Sequence, residues 1–114
     1  MSFDLAVWYQ VGPLTGDEAY AIYDRLTDGI VGVVEPSPAI AAFLEDLLEV
    51  FPDDDDDDDS SPWASGIYST DECVLLAISW SRAEEVARVV ERLAAKNALT
   101  VYDPQSHLVK GQAG

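Results

Sequence analysis

Seven consecutive carboxylates, Asp53, Asp54, Asp55, Asp56, Asp57, Asp58 and Asp59, are the densest concentration of chemistry in this 114-residue chain. Such a run can coordinate a hard cation, attract basic groups, or stay in water. Read as a calcium loop from Asp53 it fails, because Asp58 stands where the sharp turn needs glycine. Ala64 also stands where a bidentate glutamate closes the loop. Repulsion between like charges, together with the poor helix and strand propensity of aspartate, predicts a solvated, disordered acidic loop over 52–62.

Little else in the chain could carry a reaction. Nucleophilic catalysis needs a base held beside a serine or cysteine, and the single histidine, His107, lies in a polar tail that offers nothing to orient it. Cys73 opens an apolar strand and reads as a small core side chain. Gly29 and Gly32 lack the spacing and the lysine of a phosphate cradle. The expectation is a non-enzyme with no cofactor and no metal site.

Tryptophan is the remaining candidate. Trp8 and Trp80 lie at the ends of apolar segments and read first as core. Trp63 follows the acidic run in a Ser-Ser-Pro-Trp context, where packing and anchoring of a partner are equally open. With Asp53–Asp59 it forms the candidate partner-binding set.

The elements that must hold these residues are well marked. Phe3 to Tyr9 carries apolar residues on both alternating faces, as a strand covered on both sides would. Thr15 and Glu18 form a capping box for a helix with Ala19, Ile22, Tyr23 and Leu26 on one stripe. Ser37-Pro38 starts a second helix, and Ile40, Phe43, Leu44, Leu47, Leu48 and Phe51 recur along it. Residues 64–69 and 73–80 read as a hairpin about Ser69-Thr70-Asp71-Glu72. Ser81 and Glu84 suggest a capping box for a third helix, which closes near Asn97. A short strand follows at 99–103, and 104–114 reads as a loose tail. This order predicts one α+β domain over 1–114, a ferredoxin-like split β-α-β sandwich with an extra helix in the first crossover.

Charge limits the partners. The formal net charge is −16, and residues 1–81 hold 18 acidic groups against the single base Arg25. That field opposes nucleic acid and anionic membranes and favours a basic protein. One cysteine excludes an internal disulfide. Neither a basic-then-apolar leader nor a long apolar stretch is visible, so a cytoplasmic location is expected.

Five blocks carry a resemblance: the opening Met-Ser-Phe-Asp-Leu-Ala-Val-Trp-Tyr, Glu35-Pro-Ser-Pro38, Ser61-Pro-Trp63, Ile78-Ser-Trp-Ser-Arg-Ala-Glu-Glu85 and Val101-Tyr-Asp-Pro-Gln-Ser106. Across nearly its whole length the chain resembles a family of small acidic actinobacterial proteins, and in type it resembles the immunity proteins of toxin systems. That resemblance implies no catalytic residues. The combined expectation is a cytoplasmic, non-catalytic protein that neutralises a basic partner such as a toxin domain. The alternative is a small ligand-binding domain or enzyme with a cleft near Trp8, Tyr102 and Asp103. Homodimerisation is expected through the 99–103 edge strand, which lacks the charge guard of the acidic run.

Overall fold

The computed structural model describes residues 2–10, 14–51, 62–64 and 66–110. Its elements are β1 (Ser2–Trp8), α1 (Gly16–Thr27), α2 (Pro38–Val50), β2 (Tyr68–Ser69), β3 (Cys73–Ser79), α3 (Ala83–Lys96), β4 (Thr100–Asp103) and β5 (Leu108–Lys110). The fold is α+β. One sheet runs in the order β2-β3-β1-β4-β5, and every neighbouring pair is antiparallel.

The two most apolar strands, β1 and β3, lie inside the sheet and pair over their full length from Ser2↔Ser79 to Trp8↔Cys73. Strand alternation then sends their side chains to opposite faces. Leu5, Val7, Val74, Leu76 and Ile78 meet the stripes of α2 and α3, including Ile40, Phe43, Leu47, Val86 and Val90. Ala6, Trp8, Cys73 and Tyr102 form a second core beneath Ala19 and Leu26 of α1. The sheet is therefore sandwiched, with α2 and α3 on one face and α1 on the other.

The caps follow local chemistry. Thr15 accepts from Glu18 N while Glu18 accepts from Thr15 N, so the expected box closes. Ser37 caps α2 through Ala39 N. The expected box at Ser81 does not form. Residues 80–82 make a 3₁₀ turn, Arg82 occupies the cap position, and Glu84 accepts from Arg88 instead. After Asn97, Ala98 takes a left-handed φ of 56°, and Leu99 N returns to Ala94 O. That is a Schellman closure with alanine where glycine is commoner.

Two further expectations are corrected. The first hairpin arm is shorter than 64–69: only Tyr68–Ser69 pairs continuously, with one earlier bridge from Trp63 to Ile78. Residues 104–110 are also no loose tail. They turn back and lay β5 along β4, so the 99–103 edge expected to receive a second copy is already occupied. The turn is held by Asp103, whose carboxylate accepts from Gln105 N, Ser106 N and Ser106 Oγ. Gln105 then extends the ladder, its amide accepting from Asp4 N and donating to Asp4 O at 2.8 Å.

Candidate functional site

The aspartates Asp53–Asp59 lie outside the described residues, but both ends of their segment are placed. Phe51 and Trp63 are buried, and their rings meet edge to face at 6.3 Å. The Trp63 indole N–H donates to the Phe51 carbonyl at 3.1 Å. On the far side Ser79 N donates to Pro62 O, and Ala64 N to Ala77 O. Trp63 is only 8% exposed. Its assignment as a partner anchor is corrected: an indole whose N–H is satisfied inside the core presents nothing to a partner.

The exposed indole is instead Trp80, at 49%. It stands one residue beyond the Ser79–Pro62 contact and meets Phe3 edge to face at 5.3 Å. The expectation that Trp80 is core is thus reversed. The missed signal is its place between the end of an apolar strand and the start of a helix, where the 3₁₀ turn swings it outward.

Trp8, Tyr102 and Asp103 form no cleft. Trp8 and Tyr102 are 0% exposed and pack with centroids 6.1 Å apart. Asp103 is consumed by the donors of its own turn. The Tyr102 hydroxyl is buried without a hydrogen-bond partner among the described residues, and burial pushes its pKa up. Nearby Tyr20, Tyr23, Asp103 and Asp17 add to that rise. His107 is oriented after all. Its ring packs on Tyr20 and Tyr102, and Nε2 lies 3.9 Å from the Asp17 carboxylate. Cys73 is buried, and desolvation raises its thiol pKa, so a reactive thiolate is disfavoured.

The β2 edge has more definite geometry. Thr70 N donates to Cys73 O at the turn, so alternation points the Ser69 amide and carbonyl away from β3. The turn is fixed from outside. Glu72, a buried carboxylate, accepts from Gly32 N at 2.9 Å, and Ser37 N donates to Asp71 O. Gly32 sits at φ 79°, a conformation that a side chain would strain. A groove lies on each face of this edge. One, of about 450 Å³, runs between β2 and α2 and is walled by Pro38, Ile40, Ala41 and Leu44, with Ser69 and Asp71 at its rim. The other, of about 210 Å³, faces α1 and is bounded by Asp4, Tyr23, Gly66 and Tyr68.

Charge divides between the two helical layers. Arg82 pairs with Glu85, Arg88 with Glu84, Lys96 with Asp46 and Lys110 with Glu91, all on the α2/α3 side or its margin. The α1 layer carries Asp17, Glu18, Asp24, Asp28 and Glu35 exposed against the one base Arg25. Among the described residues no group of three or more His, Cys, Asp or Glu could hold a metal ion, and no helix is long and apolar enough to cross a membrane. No family model, curated protein or solved structure matches the chain.

Proposed function

We propose that this is a non-catalytic cytoplasmic protein that binds and neutralises a basic protein, a toxin domain being the partner that best suits an immunity protein. The observation that carries the reading is the division of charge. Ion pairs absorb most of the bases on the α2/α3 side, while the carboxylates of α1 and its connector outnumber the one base Arg25. A one-signed face steers an oppositely charged partner and makes association sensitive to salt. Asp53–Asp59 add seven more charges of the same sign. With Trp63 in the core, the exposed Trp80 is the aromatic anchor in this reading.

We also place β1 to β4 in the ferredoxin-like class. The order β2-β3-β1-β4, with α2 and α3 on one face, supports a split β-α-β core. In this view α1 is the inserted helix on the opposite face and β5 a C-terminal addition. The same features fit the resemblance to small acidic immunity-like proteins.

The test is capture from native lysate at low salt, followed by salt elution and co-expression of what is eluted. The expected result is one basic protein, released by salt, whose harm to growth this protein cancels. Recovery of no basic protein contradicts the reading.

A further inference from the structure

We propose that the β2 edge is the partner's docking site, and that it receives an extended segment of a basic protein as an added antiparallel or parallel strand. The inference rests on the basic-partner reading for the sign of its charge. The surface itself comes from an independent set of observations.

The first observation is backbone. β5 closes the β4 side of the sheet, while β2 ends the other side with no strand beyond it among the described residues. The Ser69 amide and carbonyl point outward there, so an incoming strand finds one donor and one acceptor already in register. The turn that follows is pinned by Glu72 to Gly32 and by Asp71 to Ser37. An edge held rigid in this way loses little freedom when a strand adds to it.

The second observation is the pair of grooves. Successive side chains of a strand point to opposite faces, and the two faces of this edge offer different chemistry. On the α2 face the groove is apolar, with Ile40, Ala41 and Leu44 beside Ser69. On the α1 face the groove combines the Asp4 carboxylate with the Tyr23 and Tyr68 rings. A carboxylate beside aromatic faces suits a lysine or arginine. Gly66 leaves the approach to that groove open, since a Cβ built there meets nothing within 4 Å. The segment that fits alternates basic and apolar residues.

The third observation argues against a second copy. Edge-to-edge pairing about a twofold axis would bring the Asp71 turns of two molecules, each of formal net charge −16, towards one another. Like charges in a closing interface oppose association.

The experiment titrates the isotope-labelled full-length protein with a capped synthetic peptide alternating lysine and leucine, followed by amide shifts. The expected shifts concentrate at residues 66–71 and 36–44. A peptide with N-methyl groups on alternate amides, and one with glutamate for lysine, should bind at least about tenfold more weakly, because both ladder bonds and charge contribute. Ser69→Pro removes only the outward donor and should weaken binding similarly. Ala41→Trp fills the apolar groove from an exposed helix position and gives the same reading if the proline variant folds poorly. Peptide binding that neither variant changes overturns strand addition but leaves the basic-partner reading standing, since the lysate capture tests that reading separately. A dimer in sedimentation that Ser69→Pro dissociates also overturns it, by assigning the edge to a second copy.

Discussion

The Trp63 indole N–H donates to the Phe51 carbonyl across 12 positions of chain, and this one bond closes the base of the segment that carries the acidic run. The two rings meet edge to face at 6.3 Å above the core strand residue Ile78, to which Trp63 also bridges. Trp63→Phe keeps much of the packing but leaves the Phe51 carbonyl without this donor. The expected loss is about 1–3 kcal/mol in urea unfolding. Trp63→Ala should lose about 3–5 kcal/mol, as deletion of a buried aromatic does. An alanine variant as stable as the parent would return Trp63 to the surface role first expected of it.

Leu76 tests the inner pairing of β1 and β3. It is buried opposite Leu5 on the face covered by α2 and α3. Leu76→Ala should cost about 2–5 kcal/mol, with the spread set by how far the cavity collapses. A cost well under 1 kcal/mol would argue against a central strand.

Much of this framework is legible in the sequence because its signals are local. The capping box at Thr15, the Ser37-Pro38 start and the two-sided apolar pattern of β1 each specify an element from neighbouring residues. The features that escape depend on distant partners. The burial of Trp63 depends on a carbonyl 12 residues earlier, and β5 depends on the Asp103 turn and on Gln105 reaching Asp4 across 101 positions. Three residues, Leu108–Lys110, are too short and too polar a run to announce a strand. The grooves beside β2 are invisible for the same reason: their walls come from five separate stretches of chain.

Ala98 makes the opposite substitution informative. It holds φ 56° at the end of α3 and is exposed. Ala98→Gly relieves the left-handed strain and should raise stability by about 0.5–1 kcal/mol by thermal or urea unfolding. A loss of stability would mean that the flexibility gained by the unfolded chain outweighs the strain relieved.

Tyr102 links stability to alkaline pH. Burial first, and then nearby tyrosines and carboxylates, raise its folded pKa above that of the unfolded chain. Such a group contributes stability that is complete below the unfolded value, about 10, and is lost as pH rises through the higher folded value. Tyr102→Phe should flatten this alkaline loss. It should also raise stability near pH 7 by about 1 kcal/mol, because the hydroxyl it removes is buried without a partner among the described residues. An unchanged alkaline limb would assign the loss to Tyr23, whose pKa is also raised by burial.

The most direct test of the account is the association rate with the basic protein eluted from native lysate, measured against ionic strength for the parent and for a variant with Gly/Ser in place of Asp53–Asp59. Replacing seven carboxylates takes the formal net charge from −16 to −9. The account predicts an association rate that falls steeply with added salt in the parent and less steeply in the variant, with dissociation little changed in both. Rates independent of salt, and equal for the two proteins, would contradict it.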